Sequence, residues 1–189
     1  MGERMMYAFT NNDMVNNEED SSWYAIRTYH CKEMQLVDYL QGRGLTCFVP
    51  MTYVKDNSSE ADLHRLVPAI HNFVFVRKTL PERVIQRIFQ ECCIMMSVYK
   101  NDNNEYYEIP NREMNDIRFL CDPTFANVQV IDSDEVEEKA GKEVVIVQGP
   151  FKGLQGKLIR QQRKYYFIKT VIGIGIMVRI SRWYCKVIE

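Results

Sequence analysis

No apolar run in this chain of 189 residues approaches the roughly 18 that a membrane-spanning helix needs. The N-terminus has no apolar core of the signal-peptide kind. Residues 11–20 are polar and acidic, so an intracellular, cytoplasmic protein is expected. Cysteine occurs six times, at Cys31, Cys47, Cys92, Cys93, Cys121 and Cys185, but never as Cys-x-x-Cys. Adjacent residues such as Cys92 and Cys93 rarely bridge, and in a reducing compartment all six read as buried small hydrophobes. His30, Cys31, His64 and His71 fit no zinc spacing, which argues against a metal. No base and orienting partner can be assigned by spacing to Cys31 or Cys47, so neither an enzyme nor a cofactor is expected.

Net charge is nearly absent as well, at −1, but that value hides a split. Residues 141–189 hold ten Lys and Arg against Glu143 and Glu189, a balance of +8, which leaves −9 for the rest. Such asymmetry argues for two domains with different partners, the plainer alternative being a solvated basic surface. What is present suits folded protein: 46% hydrophobic residues, with 11 Tyr, 9 Phe and 2 Trp.

Residues 1–21 carry several Asn and three consecutive acids with few large apolar side chains, and are expected to be a disordered tail. Residues 23–29 read as a strand and 31–41 as a helix, with Met34, Val37 and Leu40 on one stripe and Gly42 and Gly44 ending it. Residues 45–55 read as a second strand, which Pro50 demotes to an edge or bulged one. Residues 56–66 are polar, an exposed loop or hairpin tip. Residues 72–76 are β-branched and aromatic, a third strand. Thr79 and Glu82 have capping-box spacing, and Pro81 suits a first turn, so a second helix with Val84, Ile85, Ile88 and Phe89 inward is expected. Residues 93–99 and 106–109 return as strands, and Pro110 opens a third helix through Met114, Ile117 and Leu120. The expected fold over 22–121 is α+β, helices packed on a sheet.

Residues 122–140 read as a linker, with five acids in the eight residues 132–139. Short strands follow at 143–148, 157–162, 165–170 and 175–180, with a last one at 184–188, and imply a small all-β barrel over 141–189. Arg163-Lys164 is expected to form a tight turn.

The stretch Val145-Ile-Val-Gln-Gly149-Pro150-Phe151-Lys152-Gly153-Leu154-Gln-Gly156-Lys-Leu158 runs an apolar strand through a turn rich in glycine into a second strand. Glycine reaches positive φ and proline fixes its own, so the segment is built to turn. Gly153 and Gly156 are expected to close the turn and relieve crowding at the next strand. A phosphate-binding loop fails on context: there is no Gly-Lys-Ser/Thr and no helix follows. This stretch resembles the KOW motif. Trp23-Tyr24, Cys47-Phe-Val-Pro50 and Asn72-Phe73-Val-Phe75-Val76 resemble the N-terminal domain of NusG-type transcription factors. The resemblance covers residues 22–189. The entrance to the linker, Asp122-Pro-Thr-Phe-Ala-Asn127, is most similar to the branch of RfaH and the antiterminators of surface-polysaccharide operons.

The resemblance implies an antiterminating elongation factor whose N-terminal domain binds the RNA polymerase clamp, bridges the cleft and reduces pausing or termination. Strand alternation puts Phe73 and Phe75 on one face, expected to be free of helices, and Val74 and Val76 on the other. By resemblance both phenylalanines contact the clamp, and Arg27 and Tyr29 share a face of the neighbouring strand. Arg83 and Arg87 stand where the family reaches across the cleft. In the KOW domain, Val171, Ile172 and Ile174 occupy the loop used to touch a ribosomal protein or Rho, with Phe151 as a further anchor. The alternative is a ribosome-associated or RNA-binding KOW protein, with Lys152, Lys157 and Arg160 on nucleic acid. No aromatic platform pattern for single strands stands out. A monomer without membrane contact is expected.

Overall fold

A computed structural model describes residues 21–55, 64–123, 128–132, 141–172 and 174–188. The expected tail (but for Ser21), the hairpin tip at 56–63 and the acidic run at 133–139 lie outside the described residues. The N-terminal half is an antiparallel sheet with helices on it. Its strands are β1 (Ser22–Thr28), β2 (Cys47–Phe48), β5 (Phe73–Arg77), β6 (Met96–Val98) and β7 (Ile109–Pro110). The order is β2-β5-β1-β6, with β7 pairing the start of β1. The central register sets Ala25 opposite Phe75 and Arg27 opposite Phe73.

Alternation along β1 and β5 builds two cores. Tyr24, Ile26, Val74 and Val76 face α1 (Glu33–Gln41) and α2 (Glu82–Gln90), meeting Leu36, Leu40, Ile85 and Phe89. Trp23, Ala25, Phe73 and Phe75 face the other way, towards α3 (Asn111–Leu120) and its Met114, Ile117 and Leu120.

Five expectations change. The second strand splits at Val49-Pro50, because proline has no N–H for the ladder. After the break, β3 (Met51–Lys55) leaves the main sheet and forms a separate hairpin with β4 (His64–Pro68), so residues 64–66 are strand and not loop. Thr79 does not cap α2: Pro81 occupies the N-cap position at φ −54° and ψ 139°, with no side-chain cap. The tight turn falls one residue earlier, with Gln162 and Arg163 at φ 49° and 65° between β10 (Gln155–Gln161) and β11 (Lys164–Val171). The expected linker contains a strand, β8 (Val128–Asp132), which pairs with β12 (Ile174–Ile180) and covers what would be an open edge.

The C-terminal half is a six-stranded antiparallel sheet, β13-β9-β10-β11-β12-β8, with β9 at Lys142–Ile146 and β13 at Cys185–Val187. Val144, Ile146, Leu158, Phe167, Ile176 and Val178 fill its interior. The glycine-rich turn behaves as its composition requires. Gly149 and Gly153 sit at φ 84° and 98°, where side chains are strained. Gly153 N–H donates to Ile146 O at 2.8 Å and Ile146 N–H donates to Leu154 O at 2.9 Å, closing the hairpin. At Gly156 an added Cβ would lie 2.4 Å from Ile168 O, so the close approach of the neighbouring strand admits only glycine there.

The two halves are docked. One buried cluster runs from Trp23, Phe73 and Phe75 through α3 into Ile146, Phe151 and Ile174. The α3 helix touches β12. Phe119 meets Phe151 edge-on at 5.5 Å and 78°, and Lys169 Nζ pairs with Asp116 Oδ2 at 3.0 Å.

Candidate polymerase-binding face

On the sheet face opposite α1 and α2, aromatic rings form a row. Phe48 and Phe75 lie 6.3 Å apart, Phe75 and Phe73 6.1 Å, and Phe73 and Tyr99 5.3 Å. The row spans β2, β5 and the strand end after β6, crossing β1 at Ala25, whose methyl leaves room for rings from both sides. Tyr99 is fixed there by its N–H donating to Ala25 O at 2.9 Å. One end of the row is closed by α3. Trp23 Nε1 donates to Asn111 Oδ1 at 3.0 Å, and the Arg118 guanidinium lies over Trp23 at 4.4 Å and Phe48 at 5.6 Å.

The other end is set by a strained corner. His30, Cys31 and Asn72 all have positive φ, at 61°, 53° and 62°. Asn72 holds the corner from both ends: its Oδ1 accepts from Cys31 N–H at 3.0 Å and its O accepts from Thr28 N–H at 2.8 Å. Glu33, 2% exposed, accepts the Asn72 N–H through its carboxylate. This buried carboxylate therefore fixes the residue immediately before Phe73. Asparagine tolerates the left-handed region better than most side chains.

Phe73 and Phe75 share the expected face, but α3 partly covers that face. They are 6% and 2% exposed, in the cluster that runs through α3. Arg27 is exposed and Tyr29 is 38% exposed at the rim of the row. Arg83 and Arg87 are exposed on α2, which covers the opposite side of the sheet. Phe151, Val171 and Ile174 are buried in the inter-domain cluster, and Ile172 packs against it at φ 49°, so none of the four stands free as an anchor here. Lys152 and Arg160 are exposed, Lys157 half-buried, and the Arg160 guanidinium lies 5.6 Å from the Tyr165 ring centre.

Sequence reasoning missed Phe48, Tyr99, Glu33 and Asn72 as parts of this face. Phe48 precedes the proline break and was readable as an aromatic in phase with it. Tyr99 and Glu33 join only through tertiary pairing. Among the described residues no group of three or more His, Cys, Asp or Glu side chains is placed to hold a metal ion, and no helix is long and apolar enough to cross a membrane. Burial pushes the Cys47 and Cys121 thiols up to about 12, away from nucleophilic character.

No curated protein matches the sequence. Among solved structures the fold is similar to that of Thermotoga maritima NusG, from a study of domain interaction in that protein. The TM-score is 0.52 at 14% identity, covering 92% of this chain and 100% of that one. Residues 21–118 match the family described as "Transcription termination factor nusG". That match spans the α+β half including the whole aromatic row, and the chain belongs to the NusG family of transcription factors, proteins that are not enzymes.

Proposed function

We propose that the protein is an antiterminating elongation factor that holds RNA polymerase through the aromatic row of its N-terminal sheet. The observation that carries this is the row itself: Phe48, Phe75, Phe73 and Tyr99 side by side on one sheet face, rimmed by Arg27 and Tyr29. Such a face takes helices of the polymerase clamp by apolar burial, with the rim setting orientation. Arg83 and Arg87 on α2 then reach the opposite wall of the cleft. A factor gripping both walls binds the closed clamp better than the open one and shifts the population towards elongation.

Docking adds a condition. The residues proposed for polymerase, Phe73 and Phe75, and those proposed for a ribosomal protein or Rho, Phe151, Val171, Ile172 and Ile174, lie in or against one cluster. Parting the halves frees the C-terminal set, while Phe73 and Phe75 also pack beside α3 of their own half. The reading is tested by pause and termination assays with purified cognate polymerase. The expected result is shorter pauses and more read-through at saturating protein. Pause lifetimes and termination unchanged under those conditions reject it.

A further inference from the structure

Trp183 is 85% exposed, more than any other large apolar side chain among the described residues. Tryptophan gains more than most side chains from burial, so an indole held fixed in water is available to a partner. The ring sits in a 3-10 turn, Arg182–Tyr184, whose other members are anchored. Tyr184 N–H donates to Ser181 O at 3.0 Å, Val147 N–H donates to Tyr184 O at 2.7 Å, and Arg182 Nη1 donates to Cys185 O at 2.8 Å. The Tyr184 ring lies so close to Gly149 that an added Cβ there would meet it at 3.1 Å, and Cys185 is buried beneath the turn. Backbone and neighbours are thus fixed while the indole projects. The inter-domain contacts run through Phe151, Lys169 and β12, so Trp183 remains exposed in the docked form.

The surroundings are cationic. Residues 141–188 contain ten Lys and Arg and one carboxylate, Glu143. Arg182 and Lys186 flank the ring in sequence, and Lys152 stands in the glycine turn that Tyr184 braces; all three are exposed. Protein hot spots lie at the centre of a broad apolar patch that excludes water. Here the exposed apolar residues nearest in sequence and pairing, Val147, Tyr184, Val187 and Ile188, are each only 36–38% exposed, and the rim is basic. A lone aromatic plane among cations is the arrangement that stacks a base and tracks a phosphate backbone.

The geometry points to a single-stranded RNA site in which one base stacks on Trp183 while adjacent phosphates meet Arg182, Lys152 and Lys186. The choice of RNA over DNA rests on the transcription reading above, since the transcript is the single strand a factor meets outside the polymerase. The test contains no polymerase, so its failure and the failure of that reading are separable. Full-length protein is titrated into a labelled 12-nucleotide single-stranded RNA of mixed sequence, and into the matching DNA, at several salt concentrations. Trp183→Ala is expected to weaken RNA binding roughly five- to hundredfold with an unchanged thermal melt, and Trp183→Phe to restore most of it. The double change Lys152→Ala, Lys186→Ala is expected to lower the salt slope by roughly 1.4. Indole emission should fall on binding in the parent and not in Trp183→Phe, because Trp23 is 1% exposed. RNA affinity within twofold of the parent in Trp183→Ala, tighter binding to the DNA, or no RNA binding by the folded protein overturns the proposal. The last outcome would assign the ring to a protein partner.

Discussion

If Phe119, Phe151, Asp116 and Lys169 hold the two halves together, their loss should open the molecule by a calculable amount. The edge-on pair at 5.5 Å contributes about 0.5–1.5 kcal/mol beyond its buried area. The Asp116–Lys169 pair, with side chains 22% and 20% exposed, contributes about 0.5–1 kcal/mol after solvent screening. Replacing Asp116 by Lys removes that attraction and sets two ammonium groups in its place, a repulsion of similar size. The double change Phe119→Ala, Asp116→Lys should therefore shift the docked-to-open equilibrium by about 1.5–3.5 kcal/mol, or roughly ten- to three-hundredfold. Amide ¹⁵N relaxation reads this directly. In the parent, amides of β1, β5 and β9 to β13 should tumble as one body. In the variant the C-terminal amides should relax faster than the N-terminal ones. Adding Lys169→Asp to Asp116→Lys should restore common tumbling, since the ion pair is rebuilt with its charges exchanged. If the variant keeps one correlation time, or the exchange gives no recovery, the assignment of the interface to these four side chains is wrong.

Other expectations concern how the halves are built. Glu33→Ala leaves the Asn72 N–H without its buried acceptor and should lower stability by about 1–3 kcal/mol, measured by urea unfolding. Gly156→Ala forces a methyl to 2.4 Å from Ile168 O and should cost about 1–3 kcal/mol in thermal melts, with no loss expected of the N-terminal sheet. In native protein near neutral pH a maleimide should label exposed Cys31 and Cys93 first. Cys47 and Cys121, pushed up to about 12 by burial, should react only after unfolding, as peptide mapping would show.

Much of the architecture was legible because local chemistry and tertiary outcome agree. The alternation in 72–76 and most of each helix's apolar stripe specify a face, but Met34 and Val84, expected on those stripes, are each 43% exposed. Gly149, Gly153 and Gly156 are where turn geometry and the close approach of a neighbouring strand exclude other residues. What was not legible depends on partners distant in sequence. Val128–Asp132 reads as linker because its ladder is supplied by β12, more than 40 residues on. Phe73 and Phe75 read as an open face because nothing local reports that α3 lies over part of it and that its cluster continues into the C-terminal sheet. Trp183 was invisible as a platform because one ring in a 3-10 turn has no period.

The central claim is that the aromatic row holds RNA polymerase. It is tested most directly by the affinity of the full-length protein for purified cognate polymerase, compared between parent and Phe73→Asp, with near-ultraviolet circular dichroism confirming that the variant is folded. The expected result is loss of at least tenfold in affinity in the folded variant, because a carboxylate replaces a ring at the middle of the row. Equal affinity in the folded variant, or no polymerase binding by the parent, contradicts the claim.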